Sequence, residues 1–99
     1  MREVKIGLCG LGTVGSGVFN VMSRNLAAIN ARSNCQISIA QVGCRRDNVA
    51  CDLSKANITR DIFEVAQNPD IDIVVELIGG TTVAYELVML ALENGKHVV

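Results

Sequence analysis

The sequence predicts an α/β fold: an open, doubly wound parallel sheet of about four to five strands with helices on both faces. Three observations predict it. Short β-branched runs alternate with longer segments of helical periodicity, the pattern of parallel strands joined by crossover helices. Glycines crowd the turn after the first of those runs, at Gly7, Gly10, Gly12, Gly15 and Gly17. The length of 99 residues, 49% of them hydrophobic, supports one core but not two, so residues 1–99 read as one domain.

Val4–Cys9 is a short buried strand that runs into Gly10-Leu11-Gly12-Thr13-Val14-Gly15. Beyond it, Val14, Val18, Met22, Leu26 and Ile29 recur at helical spacing, with Val21 beside them. They predict an amphipathic helix of about four turns that fades in the polar 30–34 stretch. Cys35–Val42 alternates and is β-branched, a second strand ended by Gly43-Cys44-Arg45-Arg46. Residues 48–58 predict a loop with a helical turn. Asp61-Ile62-Phe63-Glu64 has capping-box spacing, and Pro69 closes that short helix. Ile71–Ile78 is the strongest strand, ended by Gly79-Gly80, with Thr81 or Thr82 to cap the next helix. That helix carries Leu87, Val88, Leu90 and Ala91 and stops at Asn94-Gly95; His97 opens a last strand. The chain stops soon afterwards, so the sheet is expected to be an incomplete part of a larger one.

Composition removes several functions. Nine Lys and Arg against ten Asp and Glu leave no broad basic surface for nucleic acid. Three aromatic residues make no base-stacking platform. No apolar run approaches the roughly 18 residues of a membrane span, and the glycine-rich N-terminus makes a poor signal peptide, so the chain reads as cytoplasmic. Cys9, Cys35, Cys44 and Cys51 form no CxxC pair and lie far from His97, the only histidine, so no metal site is assigned. They read as free thiols, although two disulfides are arithmetically open.

Gly10-x-Gly12-x-x-Gly15 between a strand and a helix points to a dinucleotide. Gly10 allows the tight turn, Gly12 lets a pyrophosphate approach the backbone, and Gly15 lets the helix lie close to the strand. The N–H groups near Thr13, Val14 and Gly15 then face the anion at the helix N-terminus. A P-loop is excluded because Ser16 stands where its lysine belongs, and Ser16 also lacks a GxSxG frame. The sheet is therefore Rossmann-type. Arg45 and Arg46 follow the second strand, where an acidic residue would mark an NAD site, so they favour the 2′-phosphate of NADP. Asp47 is the alternative, an acid able to bond a 2′-hydroxyl, which leaves NAD open. Gly79, Gly80 and Thr81 lie at the carboxyl edge, where they let the nicotinamide half pass. Glu76 reads as a carboxylate bonded to nearby backbone N–H groups or water rather than as a catalytic acid, and Arg60, Asp70 and Asp72 read as solvated.

These segments resemble the amino-terminal nucleotide-binding domain of the homoserine dehydrogenase family. The resemblance rests on Lys5–Gly15, on Val75-Glu76-Leu77-Ile78-Gly79-Gly80 and on Ala91–Val99, and it covers essentially the whole chain. It implies reduction of aspartate semialdehyde to homoserine with NADPH or NADH, on the route to threonine and methionine, by a homo-oligomer. It places Leu11, Thr13 and Val14 in the cofactor loop and Arg45 and Arg46 in the basic turn. The family's catalytic lysine and aspartate residues lie in segments beyond Val99. The chain is thus expected to bind cofactor without turnover, and no catalytic residue is named in it. A different Rossmann dehydrogenase and a non-catalytic nucleotide-sensing module are the other readings.

Overall fold

The computed structural model describes residues 2–99. Five parallel strands form one sheet in the order β3-β2-β1-β4-β5. They are β1 (Arg2–Cys9), β2 (Cys35–Gly43), β3 (Asn57–Thr59), β4 (Ile73–Glu76) and β5 (His97–Val98). The helices are α1 (Thr13–Ser33), α2 (Ile62–Gln67) and α3 (Thr82–Glu93). Successive side chains of a strand leave opposite faces of the sheet. Leu8 therefore packs with Phe19 under α1, and its neighbour Cys9 packs with Val65 and Leu87 under α2 and α3. The sheet is doubly wound and open, as the sequence predicts.

Helix α1 is longer than its periodicity suggests, 21 residues or about 32 Å. It crosses the polar stretch because Asn30 clamps its last turns to β2. The Asn30 Nδ2 donates to the Ile37 carbonyl at 3.2 Å, and the Ile37 N–H donates to Asn30 Oδ1 at 2.9 Å. Asn34 then ends the helix in the left-handed conformation, φ 55°. The buried face also differs from the expected one. Gly15 and Phe19 are buried, with Val18, Met22 and Leu26 packed beside them, whereas Val14, Val21 and Ile29 are exposed. A glycine at the contact brings the helix close to the sheet, so the apolar stripe is centred on Gly15 and Phe19 instead of on the valines.

A third strand, β3, lies within the stretch expected to be a loop. It is three residues long with one apolar side chain, too short for a period. The fourth is shorter than the expected Ile71–Ile78, but its pairing continues at both ends. Asp72 N–H donates to the Lys5 carbonyl at 2.8 Å, and Leu77 N–H donates to the Cys9 carbonyl at 2.8 Å. In β2 a register shift opposite Ile6 and Gly7 leaves Ala40 as a bulge. Ile39 and Val42 thereby face the same cluster although they are three residues apart. Asp61 caps α2 by accepting from Phe63 N–H at 3.0 Å, but Glu64 does not complete a box; its carboxylate takes the Thr59 hydroxyl at 3.0 Å. Thr81 makes no side-chain cap on α3. All four cysteines are free thiols. Among the described residues, no helix is long and apolar enough to cross a membrane, and no group of His, Cys, Asp and Glu could hold a metal ion.

Candidate functional site

Strand order reverses between β1 and β4, because β2 and β3 lie on one side of β1 and β4 and β5 on the other. Chains leaving the carboxyl ends at such a point diverge to opposite faces and open a crevice, which is where open α/β sheets bind ligands. A cleft of about 710 Å³ lies there. Its lining comes from the 10–12 turn after β1, the 44–46 turn after β2, Arg60 and Ile62 after β3, and the 77–83 segment after β4.

The 10–12 turn is shaped by contacts that only glycine permits. Gly10 has φ 103°, and a Cβ there would lie 2.6 Å from the Leu77 carbonyl oxygen. A Cβ on Gly15 would strike the Gly10 carbonyl oxygen, so α1 starts pressed against the turn. Gly12, the N-cap residue of α1, is the opposite case: a Cβ there would meet nothing within 4 Å. Its missing side chain leaves the helix N-terminus open to the cleft. No side chain caps that end and no acidic residue lies in its first turn, so its N–H groups and dipole are available to an anion.

The structure brings Gly10, Leu11, Gly12, Arg45, Arg46, Gly79, Gly80 and Thr81 into this one cleft. Thr13 lines an adjoining depression with Arg46 and Asp47. Val14 and Gly15 line neither; Val14 is exposed and Gly15 lies beneath the turn. Leu11 lines the cleft and also belongs to the core cluster beneath α1. Gly79 and Gly80 both have positive φ, 72° and 75°, so the chain turns away from the strand end without side chains in the cleft. Glu76 has the structural role expected of it, accepting from Ile78 N–H at 2.9 Å and so shaping that turn.

The sequence reading missed how the 44–48 loop is held. Cys44 N–H donates to the Thr59 carbonyl at 3.0 Å, and Gly10 N–H donates to the Gly43 carbonyl at 2.8 Å. Asn48 Nδ2 donates to the Leu11 carbonyl at 3.1 Å, tying the basic loop to the glycine turn. Arg60 is not simply solvated. Its Nη2 lies 2.8 Å from Asp47 Oδ1, and its Nη1 reaches the Cys44 carbonyl at 3.4 Å and Sγ at 3.3 Å. The bond to Asp47 raises the guanidinium's affinity for its proton. Asp72 likewise has a partner, accepting from Lys5 N–H at 2.8 Å. Burial raises the Cys44 thiol pKa against the lowering pull of Arg60, and it pushes Cys9 up to about 12 with help from the Glu76 carboxylate. Both thiols are held in their protonated form at neutral pH. The only signal for Arg60 was its place just before the Asp61 cap, and no local pattern connects that place to Asp47.

The family model described as "Homoserine dehydrogenase, NAD binding domain" matches residues 10–99. A homoserine dehydrogenase of Pseudomonas aeruginosa is 59% identical over 99 residues, covering the whole of this chain and 23% of that protein. The crystal structure of the S. aureus homoserine dehydrogenase superposes with a TM-score of 0.86 at 33% identity, covering 99% of this chain and 25% of that one. A homoserine dehydrogenase structure from Thiobacillus denitrificans gives a TM-score of 0.83 at 42% identity, covering 99% and 23%. The chain thus spans about a quarter of the length of the relatives it matches.

Proposed function

The chain belongs to the homoserine dehydrogenase family, as its NAD-binding domain, and on that premise we propose that the cleft at the carboxyl ends of β1 and β4 holds NADP(H). The observation that carries this reading is the open N-terminus of α1 at Gly12, set in the same cleft as the Arg45 and Arg46 backbone turn. The fit is chemical as well as spatial. Backbone N–H groups at residues 13–15 donate to a pyrophosphate, and two guanidinium groups hold a 2′-phosphate. Gly79 and Gly80 leave room for the ring end, and Leu77, Ile78 and Val83 exclude water from it. The bound nicotinamide supplies the hydride-carrying ring.

In the whole protein this domain serves the interconversion of aspartate semialdehyde and homoserine, a step toward threonine and methionine in the cytoplasm, carried out by a homo-oligomer. Residues 10–83 contribute binding and orientation. The cleft lining includes no carboxylate, imidazole or amine, so no group there moves the hydroxyl proton. The chain as it stands binds cofactor without turning over homoserine.

Titration by reduced-nicotinamide fluorescence tests the cofactor assignment. The wild type is expected to bind NADPH more tightly than NADH. An Arg45→Ala/Arg46→Ala variant is expected to lose roughly ten- to a hundredfold in NADPH affinity, the worth of a charged contact, and to keep its NADH affinity. Equal affinities for both cofactors in both proteins would refute the assignment to NADP.

A further inference from the structure

Asp47 is the one carboxylate beside the basic loop that could accept a ribose 2′-hydroxyl. It is also the acceptor of the only ion pair found among the described residues. Arg60, which lines the cleft, reaches it from the end of β3, while Asp47 lines the adjoining depression; both side chains are solvent-exposed. The guanidinium is placed by more than that one bond. Its Nη1 rests on the Cys44 carbonyl and thiol, and its backbone is fixed on both sides. Before it, Thr59 accepts from Cys44 N–H in the sheet. After it, Asp61 N–H donates to Thr59 Oγ1 at 3.1 Å, and Asp61 caps α2. On the other side of Asp47, Asn48 is tied to Leu11. The pair therefore joins a strand end fixed by the Asp61 cap of α2 to a loop tied to Leu11, and the Cys44 contacts bind the two sides to each other.

We propose that Arg60 is a specificity-determining residue of this cleft: by holding Asp47 Oδ1 it withdraws the loop's acidic group from the ribose, so that the loop reads a 2′-phosphate. Arg60 acts through Asp47 and is a positioning residue. The inference rests on the cofactor reading above but goes beyond it. Arg45 and Arg46 alone do not explain why an adjacent carboxylate fails to repel a phosphate dianion or to capture a hydroxyl. The Arg60–Asp47 pair does explain it.

The mechanism has a signature that simple loss of positive charge lacks. Deleting a cation near the 2′-phosphate weakens NADPH and leaves NADH unchanged or weaker, but it does not tighten NADH. Freeing Asp47 instead gives NADH a new hydrogen bond to its 2′-hydroxyl while repelling the 2′-phosphate of NADPH. Arg60→Ala is therefore expected to tighten NADH binding by about three- to tenfold, the worth of one partly exposed bond to a charged group, and to weaken NADPH. Adding Asp47→Ala to that variant, which removes the acceptor, is expected to erase the NADH gain. Arg60→Lys, which keeps a cation beside Asp47, is expected to keep NADPH preferred. Arg60→Gln serves as a second neutral variant, and circular dichroism verifies folding in each.

Dissociation constants of NADH and NADPH are measured by nicotinamide fluorescence in all five proteins and in Gly12→Val. Unchanged or weaker NADH binding in both neutral variants would overturn the inference, as would a gain that survives Asp47→Ala. Retained binding of both cofactors by Gly12→Val would instead remove the cofactor site itself. The two failures are thus distinguishable.

Discussion

Gly12→Val is the substitution whose consequences the structure separates most cleanly. Its φ of −75° lies outside the left-handed region that favours glycine, and a Cβ there meets nothing within 4 Å. The cost to folding is that of replacing a tolerated N-cap by a poor one, about 0.5–1 kcal/mol. For a domain of this size that lowers Tm by about 2–8 °C. The cost to binding is much larger. The valine side chain fills the space from which an anion reaches the first N–H groups of α1. Charge-assisted bonds of that kind contribute about 1.5–3 kcal/mol each, so losing two costs about 3–6 kcal/mol, at least a hundredfold in affinity.

Gly15→Ala should do the reverse. Its Cβ collides with the Gly10 carbonyl, backbone of a turn held by the Gly10 N–H bond to the Gly43 carbonyl and the Leu77 N–H bond to the Cys9 carbonyl, so the helix must move. Overpacking of that sort costs about 1–3 kcal/mol, here at the upper end, with a correspondingly larger fall in Tm. Circular-dichroism melts and NADPH titrations of the two variants give the comparison. A Gly12→Val protein that melts near the wild type and binds within threefold of it would refute the reasoning, because the open space at Gly12 would then not be where the phosphates lie.

Two further outcomes follow from the packing and from the buried thiol. Phe19→Ala is expected to cost about 3–5 kcal/mol in urea unfolding, whereas Val14→Ala, at an exposed position of the same helix, is expected to cost under about 0.5 kcal/mol; similar costs would place the buried face on the wrong stripe. Cys9 is held at about 12 in the folded chain against an ordinary 9.0, so its contribution is complete below pH 9 and is lost as pH rises from 9 to 12, when the unfolded thiol ionises and the folded one does not. That linkage reaches the order of 4 kcal/mol, and melts between pH 8 and 11 should fall more steeply for the wild type than for Cys9→Ala; parallel slopes would refute it.

How much of this was legible in the sequence depended on distance along the chain. The glycine turn was legible because its geometry is local: within one strand-to-helix junction Gly10 turns at positive φ, Gly15 lets α1 start against the turn, and Gly12 leaves open space at the helix N-terminus. The five parallel strands could be anticipated, except β3, since Asn57-Ile58-Thr59 is defined by pairing to Gln41, Val42 and Gly43 and not by any pattern of its own. The face of α1 was misjudged for a related reason. Periodicity ranks residues by hydrophobicity, and it gave weight to Val14, Val21 and Ile29. It gave none to Gly15, whose lack of a side chain sets the depth at which Phe19 enters the core. The extent of α1 was hidden by Asn30, a polar residue that looks like a helix terminator until its two bonds to Ile37 are seen.

The binding loop shows the same division at closer range. Arg45 and Arg46 announce themselves by type, but what fixes the loop that carries them comes from elsewhere. Asn48 is tied to Leu11, 37 positions away, and Asn20 donates to the Ala50 carbonyl 30 positions away. Cys44 and Cys51 add two buried anchors in the cluster beneath α1, so that a loop exposed at 45–47 is built into the core at both ends. The opposite wall is made differently. Beyond Ile78 it turns through two left-handed glycines into a helix whose first residue offers no side-chain cap. The half of the cleft that carries Gly12 and the 44–48 loop is thus preorganised by bonds between distant residues, and preorganisation of that kind is what the proposed phosphate site needs for affinity. The opposite half is lined by Leu77, Ile78 and Val83 around the Gly79-Gly80 turn. The proposed tolerance of an acid one position from Arg46 rests on a tie of another kind, the Arg60–Asp47 ion pair, which occupies Asp47 Oδ1 from the end of β3.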